Sequence, residues 1–211
     1  MKLYFIRHAP TLANLSGSMV PNYDQTEIIQ PMQSDLDSWQ ERVGSHIDYT
    51  NSHIFVSHTL RARQTAKLFL TGGTSFEVNK ALFAPPMIST CDNLAEFDCH
   101  GLGDKKFWEI TKEEFEQLVP NVTTKTMRKQ AGLLDVQLRQ SGYKNCICVS
   151  HGMLIRYMFH YYTGRENVHP YDIINSKDFK FSHLDMMVLD TDRHYMQVYR
   201  FKEPIDHKES K

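Results

Sequence analysis

The chain has 211 residues, 41% of them apolar and 23% charged, with a formal net charge of −1. That length suits one well-buried domain, or at a stretch two small ones, and the balanced charge excludes a general electrostatic pull toward nucleic acid or an anionic membrane. No apolar run approaches the roughly 20 residues that span a bilayer.

Arg7 ends the first apolar run after Leu3–Ile6, well short of the about 7–15 residues of a secretory core, so the protein is expected in the cytoplasm. The four cysteines fit that expectation. None forms a CxxC pair or a zinc-type Cys/His spacing, and they read as buried or idle thiols. Cys146 and Cys148 alternate with Ile147 and Val149 and belong to one face of a strand.

In chain order, residues 2–6 (KLYFI) read as a strand. Residues 15–33 have no clear period and contain Gly17, Pro21 and Pro31, which marks a long loop. Residues 34–48 read as a helix with Leu36, Trp39, Val43 and Ile47 on one face. A strand at 53–57 (HIFVS) is followed by a helix at 60–70 that Gly72-Gly73 ends. Residues 75–79 read as a further short strand. The segment 84–103, with two prolines and two glycines, reads as an ordered loop with room for a short strand. Phe107, Trp108, Ile110, Phe115 and Leu118 outline a helix ending before Pro120. Met127, Ala131, Leu134 and Leu138 outline another, stopped near Gly142. Residues 145–149 read as a strand and 152–163 as a helix ended by Gly164. DMMVLDTDRHYMQVYRF, from 185 to 201, reads as a β-hairpin turning at Thr191-Asp192.

This alternation predicts an α/β fold: a three-layer α/β/α sandwich with a mostly parallel central sheet and a C-terminal β-hairpin. The domain is expected to span 1–203, with a charged tail at 204–211.

In parallel α/β sheets, ligands bind beyond the carboxyl ends of the strands. Three predicted strand ends carry polar residues there. The first delivers Arg7, His8 and Thr11; the second delivers Ser57, with Arg61 one helical turn on; the third delivers Ser150 and His151. Two guanidinium forks match and neutralise a phosphoryl group, and a helix beginning at Gly152 adds a partial positive end. Between two cations a histidine is held neutral, and a neutral imidazole is a nucleophile. The second histidine can donate to phosphate oxygens as charge moves in the transition state. Glu96 lies in a loop that also holds Asp92 and Asp98. Beside phosphate oxygens its carboxyl would keep a proton for a leaving alkoxide and later accept one from water. The remaining histidines, His183 among them, show no ligand spacing and read as surface or packing residues, with His58 and His100 the first exceptions to consider.

RHAPTLAN (7–14), SHTLRARQTA (57–66), LAEFDCHGLG (94–103) and VSHGMLIR (149–156) resemble, in order, four motifs of the histidine phosphatase superfamily, which includes the cofactor-dependent phosphoglycerate mutases and many phosphatases. The resemblance implies His8 as the phosphorylated nucleophile. It places Arg7, Arg61 and His151 on the phosphoryl group, Glu96 as the proton donor, and Asn14 as a polar phosphate contact. Thr11 is a further candidate substrate-binding residue at this strand end, with ordering of the loop through backbone hydrogen bonds as its alternative. It implies no metal and no other cofactor. Ala9 and Pro10 depart from the usual glycine and acidic residue, and 15–50 lacks the mutase pattern, which favours hydrolysis. The expected activity is therefore a phosphomonoesterase acting on a small phosphorylated metabolite. A phosphomutase and a catalytically silent phospholigand-binding domain are the alternatives. Specificity is expected from 15–33 and 84–103, through residues such as Tyr23, Asp24, Phe83 and Met87. The ester itself and the oligomeric state are not readable.

Overall fold

The computed structural model describes residues 1–15, 25–71, 87–102, 105–106, 109–175 and 179–202. Its centre is a six-stranded sheet in the order β3-β2-β4-β1-β5-β6. Strands β1 (Lys2–Arg7), β2 (Ser52–Val56), β3 (Met87–Thr90) and β4 (Asn145–Ser150) run parallel. Strands β5 (Met186–Asp190) and β6 (Tyr195–Tyr199) form the expected hairpin, with β5 antiparallel to β1.

The central strands are apolar on both sides because both faces are covered. Leu3, Phe5, Cys146 and Cys148 lie in one core; Tyr4, Ile6, Ile147 and Val149 lie in the other. Against the first pack α5 (Thr124–Gln140), through Met127, Ala131, Leu134 and Leu138, and α6 (Gly152–Tyr162). The 3.6-residue spacing of those four α5 positions forms one apolar stripe. Against the second pack α2 (Gln33–Arg42) through Trp39 and α3 (Leu60–Thr65) through Ala62. The result is the expected three layers. All four cysteines are buried and unbridged.

Two short helices were not expected, α1 (Leu12–Leu15) and α7 (Pro170–Asn175), while α4 (Lys112–Leu118) starts later than its apolar pattern suggested. Thr111 explains that start: it accepts from the Glu114 amide while Glu114 reaches back to the Thr111 amide, a capping box. The helix expected over 34–48 stops at Arg42, since Val43 leaves helical geometry (φ −123°) and a tight turn, Gly44–His46, follows. The helix expected over 60–70 widens into a π turn at Ala66–Leu70. Gly142 and Gly164 stop their helices with positive φ, at 76° and 72°. The strand expected at 75–79, the Gly72-Gly73 stop, the tail at 204–211, and Tyr23, Asp24, Phe83, Phe107 and Trp108 lie outside the described residues. No helix of the described residues is long and apolar enough to cross a membrane.

Register levels the functional edge. Arg7 pairs with Ser150 across β1 and β4, and Val56 pairs with Val149 across β2 and β4. His8 and His151 therefore leave the sheet at one height, with Ser57 level with Ser150, one residue below. Because β5 is antiparallel, with Met186 opposite Ile6, its entry turn arrives at that same edge.

Candidate active site

His8 is 4% exposed and its amide donates to Ser150 O at 2.9 Å. Its Nδ1 lies 2.7 Å from Ala9 O. A carbonyl only accepts, so Nδ1 carries the hydrogen and Nε2 keeps the lone pair. Burial, then Arg61, then Arg7 push the His8 pKa well below the usual histidine value, so the ring is neutral at pH 7. The Ala9 amide donates to Thr65 Oγ1, which in turn donates to Arg61 O, tying the strand end to the helix that carries Arg61.

His151 lies against His8, with ring centroids 5.1 Å apart. It is the N-cap residue of α6 and is 1% exposed. Arg61 Nη2 approaches its Nδ1 at 3.4 Å, and its Nε2 is 2.8 Å from Ser57 Oγ. A guanidinium only donates, so Nδ1 accepts and Nε2–H donates to Ser57. Both ring nitrogens of the neutral ring thus face protein groups. Burial, then His8, Arg61 and Arg7, hold its pKa well below the usual value.

Arg7 donates from Nη1 to Phe181 O at 2.7 Å, while its Nε is buried without a hydrogen-bond partner among the described residues. Burial, then the Arg156 charge, lower its pKa to about 10, which still leaves it cationic at pH 7. Its guanidinium lies flat on the first turn of α6: a Cβ at Gly152 would stand 3.0 Å from both Arg7 Cζ and Arg7 Nε. Only glycine admits that approach without displacing the arginine.

Glu96 joins the same helix start. Its Oε2 accepts from the Met153 amide, and its Oε1 from the Leu154 and Phe97 amides, at 2.9, 2.9 and 3.2 Å. Burial pushes its pKa up, while the three amides and Arg7 oppose that shift. The carboxyl is therefore an anchor of the α6 N-terminus as well as a group beside Arg7. Asp98 and Asp92 are exposed. His58 is exposed, with Nδ1 3.8 Å from Asp92 Oδ1.

Thr11 and Asn14 form a closed pair. Asn14 Oδ1 accepts from the Thr11 amide at 3.1 Å and from Thr11 Oγ1 at 3.0 Å. His183 completes this corner and corrects its assignment to surface or packing: its ring centroid is 5.3 Å from that of His8, and its Nε2 is 3.1 Å from Asn14 Oδ1. No spacing rule flags it, because its partners lie 169 and 175 positions away along the chain. Arg156 was also missed. It donates from Nη1 to Ile173 O and Ile174 O, and its charge bears on both Arg7 and Glu96.

A cavity of about 660 Å³ between α5, α6 and the β5–β6 hairpin holds none of these residues. Its charged groups are already paired, Arg128 with Glu166 and Arg139 with Asp135.

The profile of the histidine phosphatase superfamily (branch 1) matches residues 3–200. Among curated proteins, none matches the sequence. Among solved structures, the chain is similar to phosphoserine phosphatase of Entamoeba histolytica in complex with 3-phosphoglyceric acid, at 19% identity and TM-score 0.67, over 93% of this chain and 94% of that one. A mutant of that protein in complex with phosphoserine aligns at 17% identity and TM-score 0.67, over the same shares of 93% and 94%. The alpha-ribazole phosphatase of Shigella flexneri aligns at 15% identity and TM-score 0.64, over 94% of each chain. The profile match runs through every motif that supplies the strand-end residues, and on it the chain belongs to branch 1 of the histidine phosphatase superfamily.

Proposed function

We propose that this phosphatase hydrolyses a small phosphorylated metabolite through a phosphohistidine on His8. The observation that carries the reading is a neutral His8 ring whose Nδ1–H is held by Ala9 O, lying beside His151 and within the fields of Arg7 and Arg61. In the first step His8 Nε2 bonds to phosphorus and the ester P–O bond breaks. The leaving alkoxide takes the proton of the Glu96 carboxylic acid. In the second step water attacks phosphorus, its proton passes to the Glu96 carboxylate, and the P–N bond breaks. The guanidiniums of Arg7 and Arg61 and the start of α6 hold the phosphoryl charge, a task they perform without a metal. A dianion set against Arg61 and His151 draws a proton onto His151 Nδ1, turning that nitrogen from acceptor into donor. The solved relatives in complex with 3-phosphoglyceric acid and phosphoserine support a small phosphorylated acid as the first substrate class to try.

The test is turnover of a panel of small phosphomonoesters, with phosphate release and isomer formation followed together, and an alkaline quench of protein mixed with labelled ester. The expected result is phosphate release, an alkali-stable and acid-labile phosphoryl-protein, and loss of both in His8→Ala. Equal turnover by His8→Ala overturns the phosphohistidine, and isomer formation in place of phosphate release overturns hydrolysis.

A further inference from the structure

The turn that enters β5 carries backbone strain. Leu184 sits at φ 66°, a left-handed conformation that a branched side chain rarely adopts. Four bonds hold it there. The Leu184 amide donates to Arg7 O, its carbonyl accepts from Trp39 Nε1, and the buried Asp185 carboxylate accepts from the Ser182 and Phe201 amides. Arg200 Nη1 completes that anchor, 2.8 Å from Asp185 Oδ2. The residue this frame presents is His183, brought against His8 and Asn14.

The hydrogen-bond pattern defines what His183 does there. The Thr11 amide can only donate, so the atom of Asn14 facing it is the carbonyl oxygen. An oxygen only accepts, so the His183 nitrogen facing it is Nε2–H. Asn14 Oδ1 therefore receives two hydrogens from Thr11 and one from His183. Flipping the amide would set its NH₂ against the Thr11 amide, which can only donate. The Asn14 carboxamide is locked in one orientation, with Nδ2 as the end that has hydrogens to offer.

We propose that His183 is a positioning residue for the phosphoryl site: with Thr11 it fixes the Asn14 amide so that Nδ2–H donates to a phosphoryl oxygen held beside His8. This rests on the phosphoryl-transfer reading of the site, which it extends to a residue outside all four motifs.

Orthovanadate is the probe, titrated by calorimetry into the full chain and into His183→Leu, His183→Gln, His183→Asn, Asn14→Ala and the Asn14→Ala/His183→Leu double variant. Glutamine can place an N–H where Nε2–H was; asparagine is too short. The expected result is vanadate affinity weakened roughly tenfold in His183→Leu and His183→Asn, as for loss of one hydrogen bond to a charged group, and restored in His183→Gln. The double variant binds as Asn14→Ala does, because the second change removes nothing the first had left. Wild-type affinity in His183→Leu, or losses from the two positions that multiply, overturns the proposal. Should His183→Leu fail to fold, the contrast between Gln and Asn decides, and equal affinity in those two overturns it. Coupling in vanadate binding without turnover of any ester supports the positioning role and overturns the hydrolase reading. Turnover that depends on His8 but shows no such coupling overturns the positioning role alone.

Discussion

Glu96→Gln separates the anchoring contacts of one carboxyl from the acid role proposed for it. Three backbone amides converge on it, two from the first turn of α6. Glutamine has one oxygen. Keeping that oxygen on the Leu154 and Phe97 amides sets its NH₂ against the Met153 amide, so one helix-start donor loses its acceptor, at about 1–3 kcal/mol. Thermal unfolding should register that loss. Catalysis should register something different. If Glu96 supplies the leaving-group proton, an alkyl phosphate loses roughly 10²–10⁴ in kcat. A nitrophenyl phosphate, whose phenolate leaves with little need of a proton, loses far less. Removing a carboxylate beside Arg7 also takes negative charge away from an anion site, so KM should not rise for either ester. The assay is parallel steady-state kinetics on both esters at a temperature well below the variant's unfolding. Equal losses on the two, together with the expected drop in Tm, would refute the acid role and leave Glu96 as the anchor of α6.

Stability should fall with acid. His8, His151 and His183 all have folded pKa values pushed well below 6.5, with burial as the largest cause. Below pH 6.5 the unfolded chain binds protons that the folded one refuses, so stability is complete above about 6.5 and declines as pH falls toward the depressed values, by up to about 1.4 kcal/mol per pH unit for each ring. Glu96 and Asp185 shift upward and act in the opposite sense, but from the lower carboxylate range. Urea unfolding between pH 7.5 and 5.5 measures the slope; a flat profile contradicts buried neutral imidazoles. Arg61→Lys replaces a fork by a point charge and leaves His151 Nδ1 without its donor, so kcat/KM should fall roughly 10²–10³-fold; a loss under about threefold would remove Arg61 from the transition state. Gly152→Ala forces a Cβ to within 3.0 Å of the Arg7 guanidinium. It should cost about 1–3 kcal/mol in urea unfolding and weaken phosphate binding; unchanged affinity would mean Arg7 does not need that seat.

What the chain could reveal unaided was whatever is local. Alternation of Cys146 and Cys148 with Ile147 and Val149 placed them on opposite faces, and the two cores divide them in that way. The apolar stripe of α5 and the positive-φ glycines that end α5 and α6 follow from helical period and turn chemistry. Arg7, His8, Arg61 and His151 were legible because each lies at or beyond the end of a strand marked by its own pattern, and parallel register brings those ends together. Tertiary structure alone decided the rest. It set the tautomers of His8 and His151, which depend on Ala9 O, Arg61 and Ser57. It gave Glu96 two of its three amides, which belong to a helix 57 and 58 residues further along the chain. It brought His183 to the site, because β5 runs antiparallel and enters at the edge where the parallel strands leave. Periodicity records which side of an element is buried; it carries no information about which distant donor a given nitrogen or oxygen will meet, and at this site that pairing defines the chemistry.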